Sequence, residues 1–131
     1  MKLLLDTHIW LWSLLDPDRL SARTRRALIA SGNTLALSSV SVWEALVLAD
    51  MGRVLLPPDP WSWIRTALTV RPMREVPLTF EVAFASRSIR LVHGDPADRF
   101  IAATAMVHDL TLVTADASLL ECPDIEAMPG A

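Results

Sequence analysis

The sequence predicts an α/β fold in which helices cover both faces of a central, mostly parallel β-sheet. Short apolar runs alternate with longer stretches of helical periodicity, which is the pattern of a parallel sheet with crossover helices. The first run, residues 3–5, is an unbroken leucine triplet, as expected for a strand buried on both faces. Asp6 follows directly and would lie at the carboxyl end of this strand, where open α/β sheets place their chemistry.

The first strand is followed by a helical pattern over residues 7–15, which the Asp-Pro-Asp sequence at 16–18 ends. Ser21 is a suitable N-cap for a second helix that runs to about residue 31. A Gly-Asn pair then ends that helix, and residues 34–37 form the next strand candidate.

The middle of the chain continues the alternation. Ser38 or Ser39 caps a third helix over about residues 40–51. A rigid proline turn follows, and Pro60 fits the first position of a fourth helix. Residues 74–78 indicate a short extended segment.

The last third contains two more helices, two strands and one helical turn. Its predicted elements are a helix from Thr79 to about residue 91 with Phe84 on its apolar face, a turn at 93–96, a helix over 96–108, a strand at 110–113, a helical turn after Asp116 and an edge strand at 125–128.

The composition is typical of one folded domain over residues 1–131, with 52% hydrophobic and 21% charged residues. The formal net charge of -3 gives no basic field, so a nucleic-acid partner would need local arginines or metal ions. Cys122 is the only cysteine, which excludes an internal disulfide and favours a reducing compartment. Asp6 and His8 interrupt a signal-peptide core, and no apolar run reaches membrane-spanning length, so we expect a cytoplasmic protein.

Several acidic residues stand where chemistry is expected, although most also have a structural explanation. Asp6 and Asp116 follow apolar strands and are suitable helix caps. Asp98 is the third residue of a helix for which Asp95 is a suitable cap. Glu44 is different, because it lies among apolar residues with no basic residue near it in sequence.

The positions of these acids predict a divalent-metal site. In a parallel sheet they share one edge, so their carboxylates would converge and repel one another without a cation. Oxygen ligands favour Mg²⁺ or Mn²⁺ over zinc. The three histidines, His8, His93 and His108, do not have the spacing of a zinc site.

At these residues the chain resembles the PIN-domain ribonucleases, and specifically the VapC toxins of bacterial toxin–antitoxin pairs. Four motifs in the right order and spacing carry the resemblance over nearly the whole length. They are Leu5-Asp6-Thr7-His8-Ile9-Trp10-Leu11-Trp12, Ser39-Val40-Ser41-Val42-Trp43-Glu44, His93-Gly94-Asp95-Pro96-Ala97-Asp98-Arg99 and Leu112-Val113-Thr114-Ala115-Asp116.

The resemblance implies a catalytic metal site and assigns supporting roles around it. The implied catalytic and metal-binding acids are Asp6, Glu44, Asp98 and Asp116. Among the supporting residues, Thr7 and Thr114 would orient carboxylates or a bound water. Asp95 would cap a helix or contact metal or substrate. For Arg99, an ion pair is favoured over contact with substrate phosphate. The implied reaction is hydrolysis of RNA phosphodiester bonds with Mg²⁺ or Mn²⁺, leaving a 5′-phosphate and a 3′-hydroxyl.

The implied partners are an RNA substrate, a VapB-type antitoxin and a second copy of the chain, with no membrane. Trp61 and Trp63, with Trp43 and Leu48 on the preceding helix, are candidates to line a groove for a partner helix. The alternative is that these tryptophans fill the core, and for Trp43 the core is the favoured interpretation.

Other functions compete with this interpretation. A phosphoacceptor receiver domain is expected to have a lysine after a late strand, whereas the only lysine in this sequence is Lys2. A dehalogenase-like phosphatase would want a second acid where His8 stands. A non-catalytic α/β module that binds a partner, with its acids serving as helix caps, is the remaining alternative.

Overall fold

The computed structural model describes residues 1–92 and 95–131. The part of the predicted turn and third motif at His93 and Gly94 lies outside the described residues. In chain order the elements are β1 (Lys2–Leu5), α1 (Thr7–Leu15), a 3₁₀ turn (Pro17–Arg19), α2 (Ala22–Ile29), β2 (Thr34–Ser38), α3 (Ser39–Asp50), α4 (Pro60–Val70), β3 (Arg74–Val76), α5 (Phe80–Ser88), α6 (Pro96–His108), β4 (Thr111–Thr114), α7 (Ala117–Leu120) and β5 (Ala127–Pro129).

The five strands form one parallel sheet in the order β3-β2-β1-β4-β5. The first strand of the chain is therefore central, and the later strands are added on both sides of it. The strand order reverses at β1, which makes the carboxyl ends of β1 and β4 the switch point where such sheets bind ligands. The predicted α/β fold with a central parallel sheet is confirmed.

Alternate residues of β1 enter two different cores, one on each face of the sheet. Leu3 and Leu5 belong to a cluster that also contains buried residues of α1, α2 and α4. Leu4 belongs to a second cluster with Leu112 of β4 and Ile101 of α6. All three leucines are fully buried, because helices cover both faces of the central strand.

Most helix starts lie at the predicted caps, whereas some helix ends differ from the prediction. The side chain of Ser21 accepts a hydrogen bond from the third residue of α2, and Thr79 does the same for α5. Helix α5 ends at Ser88, before the predicted residue 91, because Ile89 takes an extended conformation. Phe84 is 80% exposed, so its predicted place on the buried face of α5 is wrong.

Trp43 is 57% exposed, so the prediction that it fills the core is wrong. The buried residues of α3 include Ser41 and Ala45, which lie one helical turn apart on the same side. Trp43 falls between them in sequence and therefore on the opposite side of the helix.

Within the two described ranges, no helix has both the length and the apolar character that a membrane span requires.

Candidate active site

The four predicted acids line one cavity of about 380 Å³ at the carboxyl edge of the sheet. Asp6 follows β1, and Asp116 follows β4, the neighbouring strand. Glu44 lies in α3, directly after β2, and Asp98 lies in the first turn of α6. Asp95 lines the same cavity. The sheet order therefore brings carboxylates from distant parts of the chain to one place.

Asp6 is the most buried of these acids, with 7% of its surface exposed. One carboxylate oxygen, Oδ1, accepts the backbone N–H of Thr7 at 2.8 Å. The other, Oδ2, accepts the hydroxyl of Thr114 at 2.7 Å. The Thr114 Oγ1 also accepts the backbone N–H of Asp116 at 3.0 Å. One threonine on β4 therefore holds two of the predicted acids in a fixed relation.

Thr7 contacts both Asp6 and Glu44. Its hydroxyl hydrogen-bonds Glu44 and lies 3.0 Å from the buried hydroxyl of Ser41. Ser41 was missed in the sequence analysis. Its position one turn before Glu44, as a polar residue in an apolar helix, was the available signal.

Three of the cavity acids also cap helices, so the structural explanation of these residues is confirmed. Asp6 caps α1, Asp95 caps α6 by accepting the N–H groups of Ala97 and Asp98, and Asp116 caps α7. Each carboxylate has about four lone-pair sites, so a cap uses only part of its capacity. Capping and ligand binding are therefore compatible in the same side chain.

Negative charge is unfavourable in this cavity, and the pKa values of three of its carboxyl groups are raised. Burial raises the pKa of Asp98 to about 7, with further increases from the charges of Asp6, Asp95, Asp116 and Glu44. Burial also raises the pKa of Asp6, although the hydrogen bonds from Thr114 and Thr7 oppose the shift. The pKa of Glu44 rises for the same main reason and is opposed by Thr7. A positive charge in this cavity would be stabilised.

The donor set suits a hard divalent cation, because the acids that line the cavity supply carboxylate oxygens. Within residues 1–92 and 95–131, however, no three His, Cys, Asp or Glu side chains form a ready-made metal cluster. The acids surround the cavity instead of meeting at one point. Their rotation about χ1 and χ2 would move carboxylate oxygens without moving the backbone.

Arg99 binds backbone carbonyl groups instead of the acid that the favoured ion pair requires. Its guanidinium donates to the backbone carbonyl oxygens of Ser86, Ile89 and Leu91, at 2.8, 3.0 and 3.4 Å. These carbonyls lie at and just beyond the end of α5, so Arg99 ties that helix end to the start of α6. Among the described residues Arg99 has no carboxylate partner, so the predicted ion pair is wrong, whereas contact with substrate phosphate stays a prediction.

Two further residues of the cavity wall were not assigned from sequence. His8 and Trp12 line it beside the acids, and their ring centroids are 5.7 Å apart. Their spacing of four residues on α1, beginning two residues after Asp6, places both on one helix face. That spacing could have identified both residues as neighbours of Asp6 from the sequence.

The proposed tryptophan groove is only partly present. Trp61 is 62% exposed and lines a groove of about 300 Å³ between α3 and α4. Trp63 instead packs edge-on against Trp10 in the core, with ring centroids 6.4 Å apart. Leu48 lines a different groove, beside α1. The prediction that Trp43, Leu48, Trp61 and Trp63 share one groove is therefore wrong.

Comparison with known proteins gives the same fold and a sequence relative. A family model described as PIN domain matches residues 3–124. The chain is 36% identical to Ribonuclease VapC22 of Mycobacterium tuberculosis over 117 residues, which is 88% of each chain. It also resembles the crystal structure of Rickettsia felis VapBC2 bound to a promoter DNA fragment, with a TM-score of 0.76, 21% identity and full coverage of both chains. For DNA-bound VapBC of Salmonella typhimurium the TM-score is 0.69, with 17% identity over 98% of this chain and 97% of the other.

Proposed function

Because the chain belongs to the PIN-domain family, we propose that it is a metal-dependent endoribonuclease, the toxin of a toxin–antitoxin pair. One observation carries the proposal: in a relative of a ribonuclease, acids from four separate segments line a single cavity at the switch point of the sheet. Mg²⁺ or Mn²⁺ is the proposed cofactor.

In this proposal Asp6, Glu44, Asp98 and Asp116 hold the ion. When bound, it would supply positive charge beside the scissile phosphate and make a coordinated water more acidic. Thr114 keeps the Asp6 carboxylate oriented through its hydrogen bond.

Two sets of hydrogen bonds to backbone N–H groups position Asp98 and Asp116. Asp95 keeps the first turn of α6 in place by accepting two of its N–H groups, which holds Asp98 at the cavity. The N–H of Asp116 is held by the Thr114 hydroxyl. The protein therefore contributes carboxylates whose backbone positions are fixed around one cavity, and hydrolysis by an activated water would leave a 5′-phosphate and a 3′-hydroxyl.

The test is incubation of the purified chain with total cellular RNA, with and without Mg²⁺, followed by mapping of the cut ends. We expect cleavage that EDTA abolishes and that Asp98→Asn lowers by roughly 100-fold or more, since the lost interaction is worth several kcal/mol. Asp50→Asn, an exposed position at the end of α3, is the matched control and should cleave normally. Undiminished cleavage in excess EDTA would contradict the mechanism.

The non-catalytic alternative is supported by the capping roles of Asp6, Asp95 and Asp116. Calorimetric titration with Mn²⁺ separates the two functions. A nuclease site should bind Mn²⁺ and lose that binding in Asp98→Asn, whereas acids that serve only as caps should give no binding heat in either protein.

The proposed partners are a VapB-type antitoxin and a second copy of the chain, and the proposed location is the cytoplasm. Relatives of the same fold were crystallised as VapBC complexes.

Trp61, exposed in its groove, is a suitable fluorescent reporter of antitoxin binding. The difference in fluorescence between the wild type and Trp61→Phe is the contribution of Trp61. A soluble quencher should reduce this contribution in the free chain and not in the antitoxin complex. Light scattering of the free chain measures the dimer.

A further inference from the structure

A second groove with a different lining lies beside the cavity that holds the acids. This groove, of about 490 Å³, runs along α1 and past the end of α3. His8 and Trp12 line both spaces, so the two adjoin each other. We call it the α1 groove.

The α1 groove carries positive charge where the acid cavity carries negative charge. Arg19 and Arg53 line it and are both exposed, and Asp16 also lines it. Two guanidinium groups against one carboxylate leave an excess of one positive charge. Among residues 1–92 and 95–131, neither arginine forms an ion pair.

Trp12 holds one of these charges in place. The guanidinium carbon of Arg19 lies 4.1 Å from the centroid of the Trp12 ring, which is a cation–π contact. The contact restricts the Arg19 side chain beside Trp12, which also lines the acid cavity, and leaves its N–H edge able to donate. The planar guanidinium group can donate two parallel hydrogen bonds to phosphate oxygens.

The lining of the α1 groove also includes apolar side chains. They are those of Leu11, Leu48 and Val54. A groove lined by both cations and apolar side chains fits a single nucleic-acid strand, whose phosphates need neutralisation and whose bases need contact with apolar or aromatic groups.

From this charge complementarity and from the position of the groove beside the acid cavity, we propose that the α1 groove binds the single-stranded RNA segment next to the scissile phosphate. Arg19 and Arg53 contact its phosphates, and Trp12 acts as a positioning residue for Arg19. The inference rests on the proposed ribonuclease function and explains how a chain with a net charge of -3 holds a polyanion beside an acidic cavity.

The test is the salt dependence of binding to a short single-stranded oligoribonucleotide, measured by fluorescence anisotropy in EDTA so that no strand is cut. The double variant Arg19→Gln, Arg53→Gln should bind roughly 10-fold more weakly, and its slope of log Kd against log salt should fall by about 1.4. The pair Arg19→Lys, Arg53→Lys should recover the slope, because the charges return.

Arg74→Gln, Arg87→Gln is the matched control, since it removes the same charge from exposed positions on β3 and α5 that line neither space. An unchanged slope in the Arg19 and Arg53 double variant, or an equal fall in this control, would overturn the proposal. So would normal RNA binding together with lost antitoxin binding, which would assign the groove to a protein. Because binding is measured without metal, a wild type that binds RNA in this way but never cleaves it contradicts the proposed function alone.

Discussion

At the scale of single residues, the site is built from side chains that perform two tasks at once. Thr114 donates its hydroxyl proton to Asp6 and accepts the N–H of Asp116. Asp6 is a helix cap and a cavity wall, and burial raises its pKa in spite of two hydrogen bonds. A polar group this buried is tolerated only when its partners are present.

Thr114→Val removes the hydroxyl while keeping the shape of the side chain. Without that hydrogen bond the Asp6 carboxylate loses its fixed orientation, so we expect Mn²⁺ affinity or RNA cleavage to fall by roughly 10- to 100-fold. Calorimetry and initial cleavage rates measure the two quantities. Thr66→Val, at an exposed position of α4, is the matched control. Wild-type values in Thr114→Val would show that the contact has no role in the site.

At the scale of elements, three helices begin at acids that line the cavity, and the end of one helix is hydrogen-bonded by an arginine of another helix. Helices α1, α6 and α7 each begin directly after an acid that lines the cavity. Helix α5 ends on the guanidinium of Arg99, which satisfies carbonyl groups that a helix end leaves without internal partners. The start of α6, which carries Asp98, is therefore fastened to α5.

Arg99→Met keeps much of the side-chain volume and removes three donors. We expect the free energy of unfolding to fall by about 1–3 kcal/mol, because bonds from a charged donor to these carbonyls are lost. Urea denaturation measures the change. Arg87→Met, exposed on α5, should change the free energy by less than about 0.5 kcal/mol. Equal stability of the two variants would contradict the structural role assigned to Arg99.

At the scale of the whole molecule, the sheet order concentrates negative charge at one edge. Asp98 keeps its proton up to about pH 7 in the folded chain, whereas its ordinary pKa is 3.8. Between these values the folded state binds more protons than the unfolded state. The contribution of Asp98 to stability is therefore largest below the ordinary pKa and is lost as pH rises toward 7.

Metal-free protein should accordingly be less stable at about pH 7.5 than at about pH 5, by about 1–2 kcal/mol after allowance for solvent screening. Urea denaturation in EDTA measures the difference. Asp98→Asn should reduce the dependence on pH, and saturating Mn²⁺ should restore stability at the higher pH. A metal-free wild type that becomes more stable across this interval would contradict the assigned pKa.

Much of the fold could be predicted because its signals are local. The leucine triplet, the Ser21 and Thr79 caps and the Asp95-Pro96 helix start act over a few residues, and the structure has each where the sequence placed it. The roles of Asp6, Glu44, Asp98 and Asp116 as metal ligands stay predictions, as does a single domain over residues 1–131.

The sequence by itself determined which segments are strands and helices and which acids follow them, because apolar periodicity and helix capping depend on near neighbours in the chain. Only the tertiary structure decided that Trp43 faces outward, that Arg99 closes α5 and that Ser41 meets Thr7. It also decided that Trp12 lines both the acid cavity and the α1 groove and that Arg19 packs on its ring. These outcomes depend on which surfaces pack together across long separations in sequence, so the local signals at Ser41 and Trp12 point to these residues without specifying their partners.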